Sequence, residues 1–393
     1  MRVFTGITDL YTPFTRVERA ALAVREGRVA WVGPAAQLPE PYRAWPHEDL
    51  GGRGVVPGLV DSHTHLIWAG SRLEEYALRA RGASYAEILE AGGGIHHTTR
   101  ATQAASEDEL FALAQARART FLRTGVTTLE VKSGYGLEVT HELKMLRVAR
   151  RLAEAGPQRV VPTLLAHVIP AGWDRAAYLE VFTTELIPEV AREGLAEAVD
   201  VFVDRGAYTL AEAERIWEAA LAHGLKVKAH AEQLTRTGAA RRVAELGGLS
   251  ADHLEAATPE DWAALAAHGT VATLLPGATL LLKQPFPDAR SIWDAGVTLA
   301  VATDHNPGSS PFYNLWLALQ LTIALGGLAL EEALQAGTAN AAQALGHPEL
   351  GRLEPGSAAD FVVVEAPAAL EPLYRWGETP IRAVYVGGRR VWG

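Results

Sequence analysis

Between residues 55 and 304, short runs rich in valine, leucine and alanine alternate with longer stretches whose apolar positions recur every three or four residues. That alternation predicts βα units and a parallel sheet. Eight runs are predicted as strands: Val55–His65, Val126–Lys132, Val160–His167, Val199–Asp204, Lys226–Ala231, Ser250–His253, Val271–Leu275 and Thr298–Asp304. Eight units over about 250 residues predict a (β/α)8 TIM-like barrel. The helices between them declare their starts. Ser106 with Glu109 and Thr209 with Glu212 have capping-box spacing, and Thr258 stands as N-cap before Pro259. An open doubly wound sheet would need a glycine fingerprint after its first strand, and Val60-Asp61-Ser62-His63 has none.

The two ends follow a different period. Leu22–Arg25 and Arg28–Val32, with turn signals at Glu26-Gly27 and Gly33-Pro34, alternate like strands, as do Phe361–Val364 and Ala383–Val391. Residues 1–54 and 355–393 are therefore expected to pair into one small β-sandwich, leaving residues 55–354 as the barrel.

Composition narrows the chemistry. At 393 residues, 48% hydrophobic and 21% charged, the chain can bury a full α/β core with a small attachment. It has no cysteine, which excludes disulfides and a thiol nucleophile, so any transition metal must be held by imidazole and carboxylate. A net charge of −10 with scattered Lys and Arg argues against nucleic acid or an anionic membrane and for a small soluble substrate. No long uncharged apolar stretch and no leader-like N-terminus is present, so a cytoplasmic protein is expected.

Histidine is then the residue to follow. His63 and His65 close the first run two residues apart, so both rings leave the strand on one face, at the end where a barrel keeps its chemistry. By spacing alone, the pair is equally two polar residues at a strand end. His230, His253 and Asp304 end the fifth, sixth and eighth runs, however, and histidines satisfied in a core have no reason to recur at equivalent strand ends.

The run Pro57-Gly58-Leu59-Val60-Asp61-Ser62-His63-Thr64-His65, with these later residues, resembles the amidohydrolase superfamily over essentially the whole chain. Within it, Glu90 to Ile95, Val131 to Leu137, His230-Ala231-Glu232-Gln233 and Ala302 to Ser309 resemble the imidazolonepropionase family. The resemblance implies that His63, His65, His230 and Asp304 hold one divalent ion, Zn2+ or Fe. It implies that Arg72, Tyr85, Tyr135, His167, His253 and Asn306 surround the substrate, with Gly308 and Ser309 completing the pocket; a homodimer is expected. Some relatives carry an acid three residues after the fifth-strand histidine, where this chain has Gln233, with Glu232 one position earlier.

The implied reaction is hydrolysis of the cyclic amide C–N bond of 4-imidazolone-5-propanoate to N-formimidoyl-L-glutamate, in histidine degradation. A metal of this kind lowers the pKa of a bound water toward neutrality. His253 is expected to stabilise the oxyanion, Asp304 to carry the proton with Glu232 as a second candidate, and Arg72 to grip the propionate. His167 and Gln233 or Glu232 are left to read the ring nitrogens. Another mononuclear amidohydrolase or aminohydrolase could share the ligands, although a neutral heterocycle gives Arg72 nothing to bind. A carbamylated-lysine binuclear site is disfavoured because Ala166-His167 and Asp204-Arg205 end the third and fourth runs. A non-catalytic scaffold should have lost ligands, and none is missing. His96, His97 and His141 read as surface residues, and the glycines at 92–94 lack the lysine and hydroxyl of a phosphate loop.

Overall fold

The computed structural model describes residues 1–82 and 93–393. Tyr85 and the first residues of the Glu90 to Ile95 motif lie outside that range. Eight parallel strands, β5 (Leu59–Asp61), β6 (Val126–Lys132), β7 (Arg159–Ala166), β8 (Ala198–Val203), β9 (Lys226–Ala231), β10 (Ser250–His253), β11 (Val271–Leu274) and β12 (Leu299–Val301), pair in sequence order. Apolar side chains on their outer face, such as Leu129, Val131, Val201 and Leu274, are buried with residues of the surrounding helices in one large core.

The two end strands are joined at their C-terminal mouths, closing the barrel. His65 N donates to the His305 carbonyl (2.8 Å), and Asp304 N donates to the His63 carbonyl (3.0 Å). Asp61 adds a side-chain clasp, accepting from Thr303 N (3.0 Å) and Thr303 Oγ1 (2.7 Å). Burial pushes the Asp61 carboxyl up to about 7 against the pull of those hydrogen bonds.

Between the strands, the predicted helix starts hold. Ser106 and Glu109, and Thr209 and Glu212, form reciprocal capping boxes. Thr258 donates from N and Oγ1 to Asp261 Oδ2, both at 2.9 Å, ahead of Pro259. Each box satisfies amide groups that the first helical turn leaves unpaired, worth about 1 kcal/mol.

Residues from both termini build the expected β-domain as one continuous sheet of seven strands. Its order is β15 (Arg389–Trp392), β14 (Ile381–Val386), β13 (Phe361–Val364), β4 (His47–Pro57), β1 (Arg2–Tyr11), β2 (Arg16–Arg25) and β3 (Arg28–Pro34). The sheet bends back on itself, since Ala359 N reaches the Gly27 carbonyl and Val29 N the Ser357 carbonyl, both at 2.9 Å. Phe4, Phe361 and Tyr385 fill the enclosed core with ring centroids 4.4–5.2 Å apart.

One predicted strand is divided. Val55–Pro57 belongs to β4 and only Leu59–Asp61 to the barrel, with the crossing at Gly58. A Cβ there would lie 2.2 Å from Thr127 Oγ1, so the chain can pass between the two sheets at that point only as glycine. Among the described residues, no helix is long and apolar enough to cross a membrane.

Candidate metal centre and substrate pocket

The strand ends bring His63, His65, His230, His253 and Asp304 together at the barrel mouth. Ligand atoms of His63, His65 and Asp304 lie within 4.8 Å of one another, as do those of His63, His230 and His253. His63 Nε2 and His65 Nε2 face Asp304 Oδ1 at 3.5 and 3.4 Å. All five side chains are nearly or fully buried, and the His63 Nε2 atom has no hydrogen-bond partner despite its burial. A buried ring nitrogen left bare among carboxylate and imidazole ligand atoms fits a cation. His253 (φ 84°) and Asp304 (φ 52°) hold left-handed backbone, the kind of strain that collects at functional sites.

The backs of two rings face carboxylates. His63 Nδ1 lies 2.6 Å from Asp252 Oδ2, and His230 Nδ1 lies 3.0 Å from Asp200 Oδ2. At His63 the carboxylate fixes Nδ1 as the protonated nitrogen and leaves Nε2 as the ligand, whereas Asp200 stands beside His230 Nδ1 as a close charge without a hydrogen bond to it. Burial pushes His65 down to about 3 and His63 and His230 below the usual range, the second cause for His65 being the Lys132 ammonium. These rings are neutral, the form that ligates a metal. Burial also raises Asp304. For His253 burial acts downward, but Glu255, whose carboxylate is 3.8 Å from Nδ1, together with Asp304 and Asp252 holds its imidazolium above the usual range.

Around this centre the predicted pocket residues separate into two kinds. His167 and Tyr135 flank His65, each with ring centroids 5.9 Å away, and lie 5.3 Å from each other. The His167 Nδ1 faces the Gly134 carbonyl at 3.0 Å. The flanking glycines are required: a Cβ at Gly136 would lie 2.5 Å from the backbone at His141 and Glu142. Glu142, buried beneath, accepts from Gly134 N (2.8 Å) and Leu137 N (2.6 Å) and shapes the loop that carries Tyr135. Arg72 precedes the helix Leu73–Ala80 at its N-cap position, and its Nε donates to Glu75 (2.7 Å). Its Nη1 lies against Gly308, where a Cβ would stand 2.4 Å away.

The others are committed to building loops. Asn306 accepts from Gly308 N and Ser309 N (both 2.8 Å), while its Nδ2 donates to the Asp304 carbonyl (2.7 Å) and Ser309 Oγ (2.9 Å). It shapes the turn that carries Gly308 and Ser309, with both ends of its amide occupied. Glu232, expected as a second candidate to carry the proton, is engaged by its own loop. Fully buried, its carboxylate accepts from Thr237 N (2.5 Å), Thr237 Oγ1 (3.1 Å) and Ala240 N (3.1 Å), fastening the loop and helix after β9. Gln233 is buried beside it.

Sequence reasoning passed over the layer beneath the histidines, where Glu130, Lys132, Asp200, Lys228 and Asp252 are all buried. The available signal was period two: Glu130 with Lys132, and Lys228 with His230, share the inward face of β6 and β9. His63, Glu130 and Asp252 also have ligand atoms within 4.8 Å, but Lys132 and Lys228 ammoniums stand 2.8 and 2.7 Å from Glu130 and already supply the positive charge.

The model of the Amidohydrolase family matches residues 55–391. An imidazolonepropionase of Deinococcus radiodurans is 47% identical over 99% of both chains. One of Cupriavidus pinatubonensis is also 47% identical, over 96% of this chain and 90% of its own. Among solved structures, a triazine hydrolase variant superposes with a TM-score of 0.78 at 18% identity, covering 100% of this chain and 94% of its own. A zinc-bound adenosine deaminase from Xanthomonas campestris superposes with a TM-score of 0.75 at 19% identity, covering 99% and 92%. At such identities these two speak for the fold alone.

Proposed function

Because this chain belongs to the amidohydrolase family and its full-length relatives are imidazolonepropionases, we propose that it opens the ring of 4-imidazolone-5-propanoate to give N-formimidoyl-L-glutamate. It is a hydrolase with a divalent metal centre. The observation that carries the reading is the pair of ligand clusters that share His63 at the barrel mouth, one with His65 and Asp304 and one with His230 and His253, with the back of His63 held by Asp252.

His63, His65, His230 and Asp304 would hold one ion, Zn2+ or Fe, a donor set of nitrogen and carboxylate oxygen that suits both. When bound, such an ion supplies a Lewis acid and lowers the pKa of water toward neutrality. His253, held toward its imidazolium form, donates to the carbonyl oxygen as negative charge develops there. Asp304 takes the proton of the attacking water and delivers it to the departing ring nitrogen. His167 has Nδ1 engaged with the Gly134 carbonyl and is held neutral, pushed to about 3 by burial, so its Nε2 is an acceptor for a ring N–H.

Arg72 binds the propionate. Glu75 fixes its Nε and leaves the terminal nitrogens for a carboxylate. Tyr85 and Tyr135 supply hydroxyl donors, and Ser309 and Gln233 complete the polar lining. The test is turnover of 4-imidazolone-5-propanoate by the metal-loaded protein, with formation of N-formimidoyl-L-glutamate, against the same assay after chelation. A carboxylate-free cyclic substrate hydrolysed in preference would favour an aminohydrolase instead.

A further inference from the structure

Glu130, Lys132, Asp200, Lys228 and Asp252 are each no more than 1% exposed, and none is used by the proposed reaction. Lys132 Nζ lies 2.6 Å from Asp200 Oδ2 and 2.8 Å from Glu130 Oε2. Lys228 Nζ lies 2.7 Å from Glu130 Oε1 and 3.7 Å from Asp252 Oδ2, and donates to the Ser62 carbonyl at 3.1 Å. Glu130 therefore stands between two ammoniums, with its Oε1 also accepting from Thr163 (2.7 Å). The Asp200 oxygen that meets Lys132 also faces His230 Nδ1 at 3.0 Å. Likewise, the Asp252 oxygen near Lys228 meets His63 Nδ1 at 2.6 Å.

Ion clusters buried this deeply are a poor way to gain stability, because desolvation offsets the Coulomb attraction and an apolar layer would fill the same space. What the cluster does provide is direction. Lys132 binds Asp200 and Lys228 stands 3.7 Å from Asp252, with Glu130 shared between the two ammoniums, while Asp252 holds His63 Nδ1 and Asp200 stands against His230 Nδ1. We infer that Lys132 and Lys228 are positioning residues for the metal centre, acting through Asp200 and Asp252 to orient His230 and His63.

The inference makes a prediction of opposite sign to simple electrostatics. Lys132→Met or Lys228→Met removes a buried positive charge, which by charge alone would tighten binding of a cation. Loss of orientation weakens it, by about 10–100-fold, the usual effect of removing a residue that supports a metal ligand.

The test uses full-length protein stripped of metal. Zn2+ affinity is measured by competition with a chromophoric chelator, and ligand geometry from the visible spectrum of the Co2+-loaded protein. Both lysine variants should bind Zn2+ more weakly and show a shifted Co2+ spectrum. Should Lys132→Met not fold, the double variant Glu130→Gln with Lys132→Met decides, since it removes one charge of each sign and should still bind Zn2+ about 10-fold more weakly. A merely structural role would lower the melting temperature of the metal-free protein without moving either readout. Variants that bind Zn2+ as tightly as wild type or tighter, with an unchanged Co2+ spectrum, overturn the inference. It rests on the metal reading of the site: a wild-type protein that binds no Zn2+ or Co2+ overturns both, whereas equal binding by wild type and variants overturns this inference alone.

Discussion

Asp252 Oδ2 lies 2.6 Å from His63 Nδ1, with both side chains fully buried, and Ser250 Oγ donates to the other Asp252 oxygen at 2.5 Å. The aspartate is thus held by one neighbour and holds another. Asp252→Ala removes the acceptor that fixes the His63 tautomer, and should weaken Zn2+ binding about 10–100-fold. Asp252→Asn retains an acceptor oxygen and should lose less. Chelator competition on the two variants checks the order, and equal losses would point to the charge of Asp252 rather than its hydrogen bond.

Arg72 and Gly308 make a second pair with separable effects. Arg72→Ala should lower kcat/KM by roughly 30-fold to 1000-fold, corresponding to about 2–4 kcal/mol for a charged substrate contact. Arg72→Lys should lose nearly as much, since a point charge cannot reproduce a bidentate grip. Gly308→Ala would place a Cβ 2.4 Å from Arg72 Nη1, the mobile end of a long side chain. It should therefore leave the melting temperature close to wild type while raising KM. A normal kcat/KM in Arg72→Ala would show that the carboxylate binds elsewhere.

Glu232 provides a contrast. Its carboxylate accepts from the Thr237 and Ala240 amides, so Glu232→Ala should cost about 1–3 kcal/mol of stability by stranding those donors. Glu232→Gln should keep kcat near wild type with an unchanged pH–rate profile, read beside a thermal melt. Loss of an ionisation from that profile would return the residue to the reaction.

The barrel was legible because its strands and helices carry different periods, and because His63, His65, His230, His253 and Asp304 recur at strand ends. What the periodicity could not mark is where a chain leaves one sheet for another. Val55 to Asp61 is uniformly apolar apart from its last residue, and Gly58 is the one sign of the crossing. The ion cluster was missed for a related reason. Charged residues at alternate positions, such as Glu130 with Lys132, look like the wet face of a one-sided strand. In a closed barrel that face points inward, where water is replaced by side chains from the opposite strands. Asn306 and Glu232 stood out as motif residues, but a motif does not say whether a polar side chain faces substrate or its own loop.

Glu212 is among the carboxyls that contribute to acid stability. Arg175 grips Glu212 with two hydrogen bonds of 3.0 and 2.6 Å and, with the Thr209 cap, holds its carboxyl down at about 2. A carboxyl depressed in the folded state releases its proton more readily than in the unfolded chain. Its stabilisation is therefore present above the unfolded value of about 4.3 and is lost as pH falls through about 2. Glu212→Gln should flatten the fall in melting temperature across that window. The difference should shrink at high salt, because the pair is partly exposed. An identical acid limb in wild type and variant would contradict this assignment.

The central claim is hydrolysis at a single metal centre built from His63, His65, His230 and Asp304. Its most direct test is turnover of 4-imidazolone-5-propanoate by wild type and His230→Ala, with metal content determined on the same samples. Wild type should carry one divalent ion per chain and form N-formimidoyl-L-glutamate, while His230→Ala should stay folded and lose both metal and turnover. Two ions per active chain, or undiminished turnover by metal-free His230→Ala, would contradict it.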